Sequence, residues 1–228
     1  MSDSIVALVR GDVTGDGIPD NIYLIGKKEG DVPFVQDIVL AVRDGRSGRL
    51  SKVPLNVGGY NPTIFLGDFS GDKIKDILIQ IDSGGSGAIT YDFIYSFLDN
   101  NPVKMFDFEE YNELYRYDVN YRDYYNAEVI SRENRMRYLI SLIYKGSAYL
   151  DELYNPNGKL IKPVTGSVDP LSSLFPVDLE RDGVYEIMLF QRITGLYEAD
   201  GLGYVQNILK WDNGRFKLFE QYIGINGA

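Results

Sequence analysis

Three short stretches of the chain place oxygen-bearing side chains at one common spacing. Each has Asp, Thr, Ser or Glu at offsets 0, 2, 4 and 8 from its first residue, and an apolar, β-rich run follows at once. The residue at offset 6 would add its main-chain carbonyl oxygen. Ca²⁺ takes about six to eight oxygen ligands, and alternate side chains of a tight loop converge on one point. The predicted ligands of up to three ions are Asp12, Thr14, Asp16, Ile18 and Asp20, then Asp68, Ser70, Asp72, Ile74 and Asp76, then Asp178, Glu180, Asp182, Val184 and Glu186.

We call these stretches the first (12–20), second (68–76) and third (178–186) acidic loops. Gly17 and Gly183 at offset 5 permit a sharp turn. The second loop has Lys73 there and Lys75 nearby, so we expect its ion to bind most weakly. An EF-hand needs a carboxylate at loop position 12 and then a helix. None of the loops meets this requirement, because position 12 is Tyr23, Ile79 or Leu189.

The acidic loops belong to a longer repeat. The first two begin 56 residues apart, and the second and third begin 110 apart, which is two periods of 55. A degenerate copy near the midpoint starts at Asp118, has a residue inserted before Asp123, and carries Asn126 in place of the last carboxylate. We therefore divide residues 1–228, taken as one domain, into approximate repeats at 4–58, 62–108, 112–165 and 170–228.

Each period predicts four short antiparallel strands: strand, acidic loop, strand, connection, strand, turn, strand. The third strand of each is predicted near 34–40, 88–94, 137–143 and 204–210, and turn signals follow at 43–48, 99–102, 155–158 and 212–214. Only 106–116 has a pattern compatible with a short helix. Four-stranded units repeated around an axis make a β-propeller. The predicted fold is all-β, a small propeller of about four four-stranded blades; five blades, or a barrel or sandwich of the same hairpins, remain alternatives.

The spaced acidic loops resemble the FG-GAP/VCBS repeats, a family that includes the calcium-bearing blades of integrin α-subunit propellers. The resemblance implies Ca²⁺ on the loops between the first and second strands of a blade, held by the fifteen residues above. This chain departs from the family in its degenerate fourth loop, in Lys73 where Gly is usual, and in lacking a Phe-Gly…Gly-Ala-Pro signature.

Composition excludes several other classes. The 228 residues contain no Cys and no His, which excludes disulfides, thiolate zinc sites and His-based triads. A net charge of −10 makes nucleic acid an unfavourable partner. No apolar run approaches the ~20 residues of a membrane span, so we expect no membrane insertion. The resemblance favours an extracellular, cell-surface or spore-associated location, whereas the lack of a visible signal peptide is compatible with the cytoplasm.

We expect a non-catalytic, calcium-stabilised binding or structural module with a protein or glycan ligand, and no catalytic or organic-cofactor site. One alternative is a carbohydrate-binding propeller that uses surface tyrosines, six of which lie between Tyr111 and Tyr125. Another is a carboxylate- or metal-dependent hydrolase. The Gly-rich segments 82–87 and 200–203 predict strand-to-strand loops and a ligand-contacting face. Arg10, Gly11 and Asp12 spell an integrin-recognition tripeptide, but Asp12 is already assigned to calcium.

Overall fold

Strands make up most of the protein. A computed structural model describes residues 2–85 and 87–225. Its strands are β1 (Ser2–Gly11), β2 (Asp20–Lys28), β3 (Gln36–Arg43), β4 (Leu50–Pro54), β5 (Tyr60–Gly67), β6 (Asp76–Asp82), β7 (Thr90–Ser96), β8 (Val103–Asp107), β9 (Tyr117–Arg122), β10 (Asn126–Ser131), β11 (Arg137–Ser141), β12 (Thr165–Val177), β13 (Glu186–Thr194), β14 (Gly201–Asp212) and β15 (Arg215–Gly224). Its helices are α1 (Phe108–Leu114), α2 (Ser147–Leu153) and the 3₁₀ turns Leu98–Asn100 and Ile143–Lys145.

The predicted all-β class is confirmed, with 56% strand and 9% helix. Helix α1 lies inside the stretch 106–116, where a short helix was expected. Helix α2 was not expected. Its N-cap is Gly146, which supplies no side-chain cap, so the usual sequence signal of a helix start is missing.

The first two sheets are antiparallel meanders in which each strand pairs with the next along the chain. Their orders are β1-β2-β3-β4 and β5-β6-β7-β8. Each of these two sheets has four strands, and they span residues 2–54 and 60–107. Strand β2 alternates between buried and half-exposed residues, with Ile22 and Leu24 fully buried. Strand β6 is buried from Asp76 to Ile79, as a central strand covered on both faces is expected to be.

The third sheet departs from the prediction of one sheet per period. It has seven strands in the order β11-β10-β9-β12-β13-β14-β15. The third period supplies only three strands, because residues 159–164, where a fourth was expected after the turn at 155–158, form no strand, and α2 lies before that turn. The turn at 155–158 follows that helix instead of joining two strands. The edge of β9 then pairs with β12 at Thr165 and Gly166. Four separate four-stranded blades are therefore not confirmed.

The chain forms two compact units. Unit 1 comprises residues 1–108, 173–189 and 208–220, and unit 2 comprises 109–172, 190–207 and 221–228. Fully buried side chains of unit 1 include Ile38, Leu40, Ile77 and Ile94. The division into one domain with four repeats stays a prediction. Among the described residues, no helix is long and apolar enough to cross a membrane.

Candidate functional site

All three acidic loops lie in unit 1, and each turns the chain from one strand into its successor. The strands β1, β5 and β12 end one residue before the first Asp of a loop, at Gly11, Gly67 and Val177. The strands β2, β6 and β13 begin at the carboxylate of offset 8. Gly11 pairs with Asp20 and Gly67 with Asp76, so the two ends of each of these loops face one another across a ladder.

The first acidic loop is closed by carboxylate-to-backbone hydrogen bonds. Asp12 accepts the N–H of Gly15 on Oδ1 at 2.8 Å and that of Gly17 on Oδ2 at 2.9 Å. Asp16 Oδ1 accepts the N–H of Ile18 at 2.7 Å. These are Asx turns, in which a short side chain takes the place of a main-chain acceptor. Because both its oxygens accept main-chain N–H groups, Asp12 is held within the loop.

The second acidic loop repeats this pattern atom for atom. Asp68 accepts the N–H groups of Gly71 and Lys73 at 2.6 and 2.8 Å, and Asp72 accepts that of Ile74 at 2.8 Å. Lys73 has φ of 72°, close to the 82° of Gly17 in the first loop. The lysine therefore adopts a left-handed conformation that glycine would take without strain.

The third acidic loop is closed by the same kind of carboxylate-to-backbone hydrogen bonds, with one donor changed. Asp178 accepts the N–H groups of Asp182 and Gly183, both at 3.1 Å. Asp178 Oδ1 thus accepts from the N–H at offset 4, whereas in the other loops the first Asp accepts from the N–H at offset 3. Arg181 stands at offset 3, where the others have glycine, and its φ is 56° instead of about 80°. Val184 donates its N–H to Asp182 at 3.0 Å, as in the other loops.

The carboxylates at offset 8 are buried and anchor the start of each loop. Asp20 is fully buried and accepts N–H groups from Val13, Thr14 and Gly45 at 2.9 to 3.1 Å. Asp76 accepts those of Phe69 and Ser70 at 2.9 and 3.2 Å. Burial, reinforced by the charges of Asp72 and Asp68 and opposed by these hydrogen bonds, raises the pKa of Asp76 to about 6. Glu186 accepts the N–H of Leu179 at 3.0 Å.

The three loops are neighbours within unit 1. The N–H of Tyr185 donates to the carbonyl of Asp68 at 2.7 Å, and Asp68 and Val184 form a parallel bridge. A Cβ on Gly15 would lie 3.3 Å from the side chain of Ile74, and one on Gly71 would lie 3.7 Å from Val184. Gly15 of the first loop thus faces Ile74 of the second, and Gly71 of the second faces Val184 of the third. In both cases a glycine at offset 3 lies beside the offset-6 residue of the next loop.

The offset-2 residues differ most between the loops. Thr14 is 3% exposed, and its hydroxyl oxygen has no hydrogen-bond partner among the described residues. Ser70 contacts Asp68 Oδ1 at 3.5 Å. Glu180 is bonded to the ammonium of Lys210, which also lies 3.8 Å from Glu186. In the third loop, a lysine therefore already stands beside two of the predicted ligands.

The carboxylates of the acidic loops do not by themselves form a metal-binding cluster. Among the described residues, no group of three or more Asp or Glu side chains is placed to hold a metal ion. Asp16 directs Oδ2 to the guanidinium of Arg46 at 2.8 Å, and Arg46 also donates to the main-chain oxygen of Asp16. Any ion in the first loop would use hydroxyl and carbonyl oxygens together with one or two carboxylates.

Two residues beside the first loop were not recognised in the sequence. Asp44 accepts the N–H groups of Arg46 and Ser47 at 2.8 Å and is bonded to the amide of Asn100. The amide oxygen of Asn100 is buried without a partner among the described residues. Asp99, next to it, donates its N–H to the carbonyl of Thr14 at 3.0 Å. A turn signal at 43–48 was visible in the sequence, but the approach of Asn100 depends on tertiary contacts.

The degenerate fourth copy forms no loop of this kind. Asp118 lies inside β9 and pairs with Arg132. Asp123 accepts from Lys159 Nζ at 2.9 Å and from the N–H of Leu160 at 3.0 Å. Asn126 begins β10. The structure thus disperses this set, as the lost spacing predicts.

The tyrosine cluster is largely internal to unit 2. Tyr111, Tyr115, Tyr117 and Tyr121 are each less than 10% exposed, whereas Tyr124 is 61% exposed. Tyr111 and Tyr117 accept hydrogen bonds from the fully buried Asn207. The carbohydrate alternative therefore loses most of its proposed aromatic surface.

The Gly-rich segments adjoin strands as expected. Residues 83–89 connect β6 to β7, with Ser86 outside the described residues. Asp200 precedes β14 and is buried, accepting hydrogen bonds from Lys145 at 2.6 Å and Tyr149 at 2.7 Å. A cavity of about 300 Å³ is lined by Gly201, Gly203 and Arg192, among others. The prediction of a ligand-contacting face there stays a prediction.

Comparison with known proteins places the chain in a family. The YybI C-terminal domain family matches residues 115–224. The uncharacterized protein YybI of Bacillus subtilis (strain 168) is 44% identical over 228 residues, covering 100% of this chain and 87% of that protein. The chain belongs to the YybI family. No solved structure matches it.

The expected membership of the FG-GAP/VCBS repeat family is therefore wrong, because the family match is to YybI. The physical reason lies in the motif itself. Asp, Ser and Gly at these offsets build Asx turns that close a strand-to-strand corner, so the nine-residue pattern does not by itself identify the FG-GAP/VCBS family.

Proposed function

We propose that this chain is a non-catalytic binding module in which the acidic loops of unit 1, the first loop foremost, take up Ca²⁺. The single observation that carries the proposal is the Thr14 hydroxyl, a buried oxygen without a partner at a predicted ligand position. Buried polar atoms are nearly always satisfied, so this atom calls for an explanation. A cation supplied from solution would satisfy it.

The loop carboxylates stay available to a cation although they accept N–H groups. An ionised carboxylate has about four lone-pair sites, and Asp12 uses two of them in the hydrogen bonds described above. Asp12, Thr14, Asp16 and the Ile18 carbonyl would hold the ion, and Asp20 would orient the loop. Bound Ca²⁺ would neutralise carboxylates and cross-link the corner between the first and second strands.

The other two loops are weaker candidates. Lys73 and Lys75 place positive charge at the second loop. In the third loop, the Lys210 ammonium would have to leave Glu180 before an ion could bind. We extend the proposal to architecture only for β1–β4 and β5–β8, which we take as propeller-like blades that display these corners to a protein or glycan ligand.

The test is unfolding of the full chain in EDTA, in Ca²⁺ and in Mg²⁺, with wild type beside Thr14→Val. Ca²⁺ at ~100 times its dissociation constant should stabilise the wild type by ~2.7 kcal/mol per site. Thr14→Val removes the unpaired oxygen at nearly constant volume. The variant should therefore be as stable as wild type or more stable in EDTA, and should lose the Ca²⁺ response.

Thr165→Val, an exposed threonine in unit 2, is the matched control and should keep the full response. Equal unfolding of wild type in EDTA and Ca²⁺ would refute the metal proposal. A response that survives Thr14→Val but disappears in Ser70→Ala would move the ion to the second loop.

A further inference from the structure

A cavity of about 290 Å³ in unit 1 is lined by the sheet β5-β6-β7 and by a short segment of β12, residues 173–175. The sheet contributes five polar residues, namely Asn61, Thr63, Gln80, Asp82 and Thr90. The β12 segment approaches the sheet closely enough for its main chain to accept a hydrogen bond from β6. The space accommodates a small ligand of about the size of one sugar ring.

The polar residues of this cavity lie together because of the strand register. Thr63 pairs with Gln80, and Asp82 pairs with Thr90. Residues directly opposite each other in an antiparallel ladder, and residues two apart on one strand, point to the same side of a sheet. Leu78, two residues before Gln80, is fully buried on that side. The face of β6 therefore changes from apolar to hydrogen-bonding towards the end of the strand, where the cavity lies.

The side-chain amide of Gln80 is fixed in orientation. Its Nε2 donates to Asp92 Oδ1 at 3.1 Å and to the carbonyl of Leu174 at 2.8 Å. Thr90 Oγ1 donates to the other oxygen of Asp92 at 2.5 Å. Both N–H groups of Gln80 are thus used, whereas its Oε1 accepts no hydrogen bond from any described residue. The oxygen remains an acceptor for a ligand.

Asn61 and Asp82 add two acceptors on exposed residues. Asn61 lies where the register of β5 and β6 shifts, and its φ of 47° is a left-handed conformation that asparagine tolerates. Its Nδ2 donates to Asp82 Oδ2 at 3.0 Å. This leaves Asn61 Oδ1 and Asp82 Oδ1 without a donor among the described residues. The hydroxyl of Thr63, which is exposed too, forms no hydrogen bond with them either.

The cavity combines these groups with an aromatic side chain and no cation. Phe175 lines it and is 51% exposed. The C–H groups of a sugar ring carry partial positive charge and pack on the negative face of an aromatic ring. In the part of the chain that the structure describes, no lysine or arginine lines this cavity. An anionic ligand would therefore be repelled by Asp82 without compensation.

We infer that this cavity binds a neutral saccharide, whose hydroxyl groups donate to Asp82, Asn61 and Gln80 and whose apolar face packs on Phe175. Adjacent sugar hydroxyls both donate and accept, so they match these acceptors and the Thr63 hydroxyl together. An ammonium group only donates and would leave the Thr63 proton without an acceptor. The inference rests on the proposed function in naming the ligand of a non-catalytic binding module, but no residue of the cavity belongs to an acidic loop.

The first measurement is saturation-transfer NMR on the full chain with glucose, galactose, mannose and N-acetylglucosamine, in EDTA and again in Ca²⁺. We expect transfer to at least one sugar, equally in both conditions. The phosphorylated form of the bound sugar should bind about tenfold more weakly, because of Asp82. Transfer to no sugar would overturn the inference, and so would transfer to cyclohexylammonium alone.

These outcomes are distinguishable from failure of the calcium proposal. Sugar binding in a chain whose unfolding does not respond to Ca²⁺ would support the saccharide site and refute the metal proposal alone. A Ca²⁺ response in a chain that binds no sugar would refute the saccharide site alone.

The second measurement is titration of the bound sugar against Asp82→Asn and Phe175→Leu. Asp82→Asn keeps an acceptor for Asn61 but removes the charge, and should weaken binding by about tenfold or more. Phe175→Leu keeps an apolar side chain but removes the ring, and should weaken binding by about fivefold to tenfold.

The chain offers a matched control for each cavity variant. Phe219→Leu changes a phenylalanine of unit 1 that is also 51% exposed, and Asp31→Asn changes an exposed aspartate of unit 1. Both controls should bind the sugar as wild type does. Urea midpoints check that all four variants fold. Unchanged affinity in both cavity variants, or equal losses in the cavity variants and their controls, would overturn the inference.

Discussion

The N–H of Tyr185 donates a hydrogen bond to the carbonyl oxygen of Asp68 at 2.7 Å, and this bond joins the third acidic loop to the second. The two residues lie more than a hundred positions apart in the chain. Tyr185 also packs its ring against Phe65 and Phe69, with ring centroids 5.3 and 5.8 Å apart. The corner of one hairpin is therefore fastened to the corner of another by both a main-chain bond and an aromatic cluster.

Replacing Asp20 by alanine should destabilise unit 1 strongly. The carboxylate accepts three main-chain N–H groups, from Val13, Thr14 and Gly45. Alanine would leave these donors without an acceptor, at a cost of about 3 kcal/mol or more. The urea midpoint of the full chain measures the effect. Asp31→Ala, an exposed aspartate, should change stability by less than about 0.5 kcal/mol; equal losses in both variants would contradict the anchoring role.

Replacing Asp92 by asparagine should reduce the pH dependence of stability between about pH 4 and 6. Burial, opposed by hydrogen bonds from Thr90 and Gln80, raises the pKa of Asp92 to about 6. A raised carboxyl pKa means that the folded state holds the proton more tightly than the unfolded state. The stabilisation is then complete below the unfolded pKa and is lost as pH rises through the folded pKa.

Asparagine keeps both hydrogen bonds of Asp92, because its amide can accept from Gln80 and donate to the Thr90 hydroxyl. The variant should therefore match or exceed wild type in stability at neutral pH. Urea titrations at several pH values measure the slope. Part of it should remain, since Asp76 titrates in the same range. A slope identical to that of wild type would refute the prediction.

Replacing Lys145 by methionine should destabilise unit 2. The Lys145 ammonium lies 2.6 Å from Asp200 Oδ1, and the two side chains are 17% and 3% exposed. Removing one partner of a buried pair leaves an uncompensated charge, which costs about 3–5 kcal/mol. Lys145→Met/Asp200→Asn should recover part of this loss. If the double variant is no more stable than Lys145→Met, the pairing is not the cause.

The Lys145 effect should also depend on pH. Burial acts to raise the pKa of Asp200, but the hydrogen bonds from Lys145, Leu196 and Tyr149 outweigh it, so that the pKa is lowered. A lowered carboxyl pKa contributes stability above the unfolded value, and this stability is lost as pH falls through the folded value. The difference between wild type and Lys145→Met should therefore narrow below about pH 4.

Replacing Tyr117 by phenylalanine should weaken the buried polar network of unit 2. The Tyr117 hydroxyl accepts hydrogen bonds from Asn207 at 2.9 Å and from Gln221 at 3.1 Å. Its loss leaves two buried amide N–H groups unpaired, at a cost of about 2 kcal/mol. Tyr124→Phe removes a hydroxyl from a residue that is 61% exposed and should be nearly neutral. Comparable urea midpoints for the two variants would contradict the prediction.

Local patterns in the sequence predicted local structure well. The acidic loops connect strands, Gly17 and Gly183 have positive φ, and α1 lies where a short helix was expected. These features depend on a few neighbouring residues, whose steric and hydrogen-bonding preferences act over one turn of chain. The same locality explains the wrong family assignment, because a corner-closing pattern carries little information about ancestry.

The sequence by itself determined an all-β chain with repeated acidic corners, since strand alternation and turn chemistry are set residue by residue. Tertiary structure alone decided which strands share a sheet, how the free edge of β9 came to pair with β12 and which polar atoms were left unpaired. The alternation of apolar and polar residues along a strand shows which side chains are buried. It does not show which other strand pairs with that strand's edge. Thr14 and Asn100 show the consequence, because an unsatisfied oxygen is recognised only when every neighbour that could reach it has been placed.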